Sequence, residues 1–487
     1  MSMAGQDLTE VDAQVEKNKL RRAMGPVDLV LFYITAIVGL RWVASAARVG
    51  PSAVSIWIIA FLCMFVPLSA AVIELSSRYP EEGGIYVWSK QAFGDFHGFM
   101  TGWTYWTSNI VYYPGLLFYA ASNSAYIIPR YAYLAESKTF VVVVSVCGLA
   151  LALFLNVVGL NVGKWLHNAS GSLGTWLPAM ILVTMGVIAW VKFGPATRFN
   201  PSAMVPRPHG IEDIVFWSTL AFGFGGLEAA SFMGEEVRDA RRNIPRGVII
   251  AGCIITFIYI AGTLGVLVAL PPSMASGLTG ITDAARSTAE RIGGQAVGAS
   301  MASTISLLQV IGYIGGVGAW LAASARIPFV AGIDRYLPRA FGRIHPKWGT
   351  PYVALLVQGA VTLFFIFLAK IAGQTAEQAY QVLISLAIIA YFIPYLYLFA
   401  ALIKLQGEPA QPGVIRVPGK RAGACAAAVL GLSVTAFSIF LSCWPGNDVA
   451  DKTFFFETVF GTIAANLAIG VLLYVAGKRR RTAYQDR

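Results

Sequence analysis

Two charged residues, Arg41 and Glu228, stand where charge is costly, each at the end of a glycine-bearing run. The first run is Ile37-Val38-Gly39-Leu40-Arg41-Trp42, and the second is Phe222-Gly223-Phe224-Gly225-Gly226-Leu227-Glu228. Arg41 ends the uncharged stretch 29–40 and Glu228 ends the stretch 214–227, and apolar or small residues continue past both. Glycine permits backbone angles that unwind a helix and lets a ligand approach closely. Unwinding frees N–H and C=O groups that cost several kcal/mol each in hydrocarbon, so they must line a polar cavity. The N–H groups at the start of a half-helix carry roughly +0.5 charge and suit a carboxylate. Freed carbonyls suit an ammonium group or a cation, and a site with both features suits an amino acid.

A charge at the centre of a membrane helix costs about 2.5–3.5 kcal/mol on insertion scales. Arg41 therefore faces water, a partner or a substrate, or it snorkels toward the outer surface. Glu228 either makes a structural hydrogen bond inside the bundle or serves as the proton-sensitive group. Glu74 is assigned to the loop that follows the second span.

The elements that must hold these residues are membrane spans. Charged residues are 13% of the 487-residue chain and hydrophobic ones 56%. The mean hydropathy is +0.64. Soluble proteins carry about 25% charge, so a soluble enzyme, a disordered chain and a secreted disulfide scaffold are excluded. The five cysteines, Cys63, Cys147, Cys253, Cys425 and Cys443, show no CxxC spacing and read as buried apolar thiols. The polar, mixed-charge residues 1–26 show no cleavable signal.

A helix needs about 20 apolar residues to cross a bilayer. Uncharged stretches run 49–73, 98–129, 139–163, 168–191, 247–282, 292–325, 348–369, 378–403, 422–447 and 458–477. With the two interrupted stretches, the sequence predicts twelve spans, of which numbers 1 and 6 are broken. Lysine and arginine concentrate in alternate loops and in both terminal segments, such as Arg238, Arg241, Arg242 and Arg246 between spans 6 and 7. This pattern puts both termini in the cytoplasm. The net charge of +11 is then a topology signal rather than a nucleic-acid footprint.

Spans 1 and 6 each open a group of five. In one large class of transporters two five-helix halves of inverted topology bind substrate mid-membrane, where discontinuous helices meet. The reading is an all-α membrane protein with a 5+5 inverted repeat and two further C-terminal helices. Its parts are a cytoplasmic segment 1–26, repeats 27–193 and 211–404, spans 11–12 in 421–477, and a basic cytoplasmic tail 478–487.

At these residues the sequence resembles the amino acid–polyamine–organocation superfamily of permeases. The likeness covers nearly the whole chain and is strongest over spans 1–3 and 6–8. Phe222–Glu228, Ala229-Ala230-Ser231 and Glu235-Glu236 resemble the family's broken helix and its cytoplasmic exit. Asp239-Ala240-Arg241-Arg242-Asn243-Ile244-Pro245 resembles its Asn-Pro-x-Arg-x-Ile-Pro loop, with Asp-Ala in place of Asn-Pro. Glu74-Leu75 with Pro80–Trp88, including Gly83-Gly84, and Asp334-Arg335-Tyr336-Leu337-Pro338 also fit. Val38-Gly39-Leu40-Arg41-Trp42 departs from the common Gly-Ser-Gly-Ile-Phe pattern and looks closer to the glutamate/GABA antiporter branch.

The resemblance implies site roles. Ile37, Val38, Gly39, Leu40 and Arg41 would hold the substrate carboxylate. Gly223, Phe224 and Gly225 would hold its amino group through carbonyls, beneath Phe222 as an aromatic gate. Asn109, with Thr104 and Tyr105 one turn earlier, would face the site, and Trp320 would shape its floor or distal gate. Trp320 and Tyr105 read equally as packing residues, and Asn109 as glue between helices. Gly312, Gly315, Gly316 and Gly318 read first as close packing. Thr175 stands where some proton-coupled members have lysine, so a lysine-based switch does not apply. Proton coupling through Glu228, a sodium ion or a counter-substrate remain open.

The function expected is secondary active transport of an amino acid or related amine across the inner (plasma) membrane by alternating access. A polyamine carrier and a sensor that binds without net flux are the alternatives. No Gly-x-x-x-x-Gly-Lys-Ser/Thr run is present for ATP. His97, His167, His209 and His345 lie in four separate loops without metal spacing, so neither enzyme chemistry nor a metal or other cofactor is expected. The sequence does not give the oligomeric state.

Overall fold

The computed structural model describes residues 20, 22–275, 279–371, 376–409, 412–444 and 452–485. It is all helical, and among the described residues the only strand-like pairing is a single bridge from Met24 to Val237. The helices are α1 (Pro26–Ile37), α2 (Leu40–Ala47), α3 (Ser52–Arg78), α4 (Ile85–Phe93), α5 (Asp95–Ala125), α6 (Lys138–Val158) and α7 (Val162–Phe193). Then come α8 (Ile211–Phe222), α9 (Ala240–Ala269), α10 (Gly280–Gly293), α11 (Gln295–Ser324) and α12 (Arg326–Ile333). The chain closes with α13 (Tyr352–Ile371), α14 (Ala376–Leu405), α15 (Lys420–Ser442) and α16 (Lys452–Gln485).

Among the described residues eight helices are long and apolar enough to cross a membrane, or nine when the bent pair α1–α2 is taken as one span. The count falls below twelve because uncharged is not the same as apolar. The 31-residue α5 carries Thr101, Thr104, Thr107, Ser108 and Asn109, which lower its hydropathy without adding charge. It tolerates them because each bonds to a carbonyl of its own helix, Thr101 to His97 and Asn109 to Tyr105 among them. The 12-residue α8 is apolar but brief. The uncharged stretch 247–282 also overshoots its helix, since α9 ends before Leu270-Pro271-Pro272, where proline withdraws an N–H.

Packing sorts the helices around a centre. α9 lies against α1, α2, α3 and α7, while α5 lies against α6, α11, α13 and α14. α7 and α11 approach so closely that a Cβ on Gly312 would sit 2.4 Å from the Gly174 carbonyl oxygen. A Cβ on Gly315 would sit 2.1 Å from Ser170 Cβ. Close packing of this kind is what holds membrane helices together where no hydrophobic drive exists. Gly312→Ala is expected to destabilise the protein by about 1–3 kcal/mol through overpacking, read as a lower unfolding temperature in detergent.

Two sequence expectations are corrected here. None of the five cysteines is buried. Cys147 and Cys253 are exposed on the bundle's outside and the other three are half-buried, because an apolar thiol in this solvent can face lipid as readily as protein. Glu74 is not in a loop; it lies in α3 and is fully buried. Its carboxylate pairs with Arg78 at 3.1 Å and accepts from Gln406 Nε2 at 2.6 Å and the Val417 amide at 3.0 Å. It thereby straps the segment after α14 onto the end of α3.

Candidate substrate site between two broken helices

The helix α1 stops at Ile37, and α2 starts at Leu40 after a bend of 42°. Val38 and Gly39 are extended between them, with φ/ψ of −72/98 and −91/106. Gly39 therefore needs no unusual backbone angle. A Cβ there would lie 2.7 Å from Trp42, so close approach explains the glycine. The second break begins where α8 ends. Gly223–Glu228 form turns and Ala229–Glu236 a 3₁₀ segment. Here the conformational demand falls on Gly226, at φ +114°, a value side-chain-bearing residues rarely adopt.

Tyr259 of α9 reaches both breaks. Its hydroxyl lies 2.8 Å from the Ile37 carbonyl oxygen and 2.6 Å from the Gly223 carbonyl oxygen and shares its one proton between them. Trp57 stacks on its ring at 4.4 Å and donates its own Nε1 to Thr263. Trp320 of α11 donates Nε1 to the Ala36 carbonyl at 3.0 Å. Several carbonyls freed by unwinding are thus satisfied by protein donors, as burial requires.

Two adjoining cavities open at the breaks. The first, about 380 Å³, is lined by Ile37, Trp42, Ser108, Asn109, Phe222, Gly225 and Tyr391, among others. The second, about 430 Å³, is lined by Val38, Gly39, Leu40, Arg41, Thr175 and Gln309, among others. Ala36, Ile37, Tyr112 and Trp320 belong to both.

Arg41 is 2% exposed and lines the second cavity, which overturns snorkelling. Its Nη2 donates to the Tyr112 hydroxyl, and its guanidinium lies 4.7 Å from the Trp42 ring centroid and 5.2 Å from that of Tyr112. Such cation–π contacts offset the lost hydration of the charge. Glu228 is fully buried inside a cage of tyrosines. Tyr105 donates to its Oε1 at 2.6 Å, Tyr391 donates to the same oxygen, and Tyr395 donates to Oε2 at 2.7 Å. Tyr395 also accepts from the Gly226 amide at 3.0 Å, which ties the cage to the break.

The structure gathers most of the sequence-derived site residues and leaves Glu228 and four others off the cavity walls. Ile37, Val38, Gly39, Leu40, Arg41, Asn109, Phe222, Gly225 and Trp320 line one cavity or both. Thr104 spends its hydroxyl on the Met100 and Thr101 carbonyls. Phe224 is fully buried against Trp57, Phe65 and Tyr259, so it is a packing residue. The Gly223 carbonyl takes the Tyr259 hydroxyl. Tyr105 reaches Glu228 rather than a cavity. Asn109 does not bridge helices through Nδ2, which donates to Tyr105 of its own helix at 2.8 Å. Phe222 meets Trp42, Tyr112 and Tyr391 edge-on, with centroids 5.3–6.3 Å apart, and so roofs the first cavity with aromatic rings.

Sequence reasoning missed Tyr112, Tyr259, Tyr391 and Tyr395. A tyrosine in an apolar helix carries no signal by itself. Four of them pointing at two helix breaks appear only once the chain is folded.

Broken helices around a central hollow, in an apolar helical bundle, are the architecture of a membrane carrier. The family described as "Amino acid permease" matches residues 24–465, and the chain belongs to that family. An uncharacterized transporter of Legionella pneumophila is 27% identical over 463 residues, 94% of this chain and 96% of that protein. The probable agmatine/putrescine antiporter AguD of Lactococcus lactis is 22% identical, covering 83% of each chain. The glutamate/serine transporter AimA of Bacillus subtilis is 25% identical, over 74% of this chain and 68% of its own.

Proposed function

We propose that this permease is a secondary active transporter that carries an amino acid by alternating access, with the zwitterion held between the two breaks. The carrying observation is the polarity of the hollow. The first turn of α2 and Arg41 offer donors and positive charge on one side, and Glu228 sits behind Tyr391 on the other. A carboxylate fits the α2 start, and an ammonium group fits the wall of Phe222, Gly225, Asn109 and Tyr391. The α2 amides carry the partial positive charge of a helix start.

In this reading the chain has twelve spans in two inverted repeats, 27–193 and 211–404, with both termini in the cytoplasm. The packing of α9 on α1–α3, and of α5 on α6, α11 and α13, supports two bodies that rock against one another. The Glu228 cage is the group we assign to proton coupling. The printed names of AguD and AimA place both amines and amino acids among relatives' substrates. A polyamine would need several carboxylates, and neither cavity has one among its described lining residues, so an amino acid is the reading we adopt.

Uptake of labelled amino acids and polyamines into proteoliposomes tests this; saturable binding without flux would make the protein a sensor. Arg41→Ala is expected to raise KM for carboxylate substrates at least about tenfold, the loss of one charge-assisted hydrogen bond, and to affect amines less. Equal losses for both would remove Arg41 from substrate recognition.

A further inference from the structure

Trp320 lines both cavities, and its side chain reaches both breaks. Its indole bonds the Ala36 carbonyl at the first break. Its ring closes on the second break, where a Cβ on Gly226 would lie 3.1 Å from it. It also meets Tyr391 of the Glu228 cage edge-on, with centroids 6.1 Å apart. The helix that carries it is poorly equipped to hold it by stiffness alone. Gly315, Gly316 and Gly318 lie just before Trp320 in α11, and glycine weakens a helix interior. A Cβ on Gly315 or Gly318 would meet α7 at 2.1 or 2.8 Å, while Gly316 borders the second cavity, where a Cβ would meet the Thr35 carbonyl oxygen at 3.6 Å.

A buried polar network from α5 and α13 grips α11 at this point. Gln358 of α13, Tyr113 of α5 and Ser324 of α11 are fully buried. The Tyr113 and Ser324 hydroxyls lie 2.6 Å apart, and 3.1 and 2.7 Å from the Trp320 carbonyl oxygen, so their protons are shared within this triangle. Gln358 Nε2 donates to the Tyr113 hydroxyl at 3.3 Å and to the Leu321 carbonyl at 3.4 Å. Its Oε1 accepts from Trp106 Nε1 at 2.7 Å and lies 3.0 Å from Ser324 Oγ. A satisfied network in a dry interior holds one arrangement, because any member that loses its partner carries a desolvation cost. None of Gln358, Tyr113, Ser324 and Trp106 is among the described lining residues of either cavity, so they act on the site through Trp320.

We propose that Gln358 and Tyr113 are positioning residues: they fix the α11 backbone at Trp320 and, through its indole, hold the first break against the second.

The test is hydrogen–deuterium exchange of the full-length protein in lipid nanodiscs. Tyr113→Phe removes one hydroxyl and keeps the ring, and Gln358→Leu removes the amide. Each is expected to speed exchange about tenfold at residues 36–42, the loss of one buried hydrogen bond. Trp320→Phe is expected to speed exchange there as well. Adding Tyr113→Phe to Trp320→Phe should change nothing further at 36–42, because the indole that carries the effect is gone. Wild-type exchange at 36–42 in Tyr113→Phe would overturn the proposal. A further rise in the double variant would overturn it as well, since Tyr113 would then act by general packing. Tyr113→Phe decides the matter even where Gln358→Leu does not fold. Because no substrate is added, loss of the zwitterion reading would leave this result untouched.

Discussion

Arg326→Met is expected to destabilise the protein by about 3–5 kcal/mol, the cost of leaving buried carboxylates without their counter-charge. Arg326 is 1% exposed. Its Nε donates to Glu236 Oε2 at 2.7 Å, its Nη2 donates to Oε1 at 2.9 Å, and Glu82 lies 3.7 Å from Nε. Glu82 in turn accepts from the Glu235 amide at 3.0 Å. One guanidinium thus ties the turn before α4 and the end of the broken second helix to the start of α12. The check is thermal unfolding of purified protein, with the triple variant Arg326→Met, Glu82→Gln, Glu236→Gln as control. Removing all three charges should recover most of the loss, because a buried ion pair is worth little against a neutral replacement. Loss without recovery would mean that Arg326 acts by packing rather than charge.

The same cluster carries a pH signature. Burial, and then the neighbouring Glu236, hold the Glu82 carboxyl well above its usual range, with Arg326 pulling the other way. A carboxyl raised in the folded state contributes stability that is full below its unfolded value, about 4.3, and is lost as pH rises through the folded value. The stability that Glu82 contributes should therefore rise on acidification. A rise in unfolding temperature with falling pH in the wild type, absent in Glu82→Gln, is the expected result.

Glu228→Gln is expected to flatten the pH dependence of transport while leaving substrate binding measurable. An ionised carboxylate only accepts hydrogen bonds, and three tyrosine hydroxyls supply them. A protonated carboxyl becomes a donor, so one of these tyrosines must turn and accept. The cage therefore has two arrangements that differ by one proton. Tyr395 also holds the Gly226 amide, so a change in the cage reaches the second break directly. Glutamine keeps the shape but fixes one protonation state. Flux measured across a pH series in proteoliposomes decides the matter, and an unchanged profile in the variant would assign coupling to another group.

The solvent of this chain and the location of its site were legible in the sequence. Low charge and long uncharged runs specify a bilayer, because an unpaired polar group there costs several kcal/mol. The same cost made Arg41, Glu228 and the glycine runs conspicuous, and the structure puts a break in the helix at both places. Span counting was weaker. The polar stripe on α5 and the brevity of α8 place them outside a simple apolarity test, although neither is interrupted by a charge at its centre.

The sequence by itself determined that helices in lipid must break at two points and that a charge stands beside each break. Tertiary structure alone decided which groups meet there. Tyr112 reaches Arg41 across 71 positions, and Tyr395 reaches Glu228 across 167. Phe224 turned to packing, Glu74 turned inward, and Gly316 turned out to border a cavity rather than a neighbouring helix. Local patterns report what each residue costs in its solvent, and partners so distant along the chain leave no periodic trace in it. Which neighbour offsets that cost depends on how separate helices pack, and that is fixed only when the whole bundle closes.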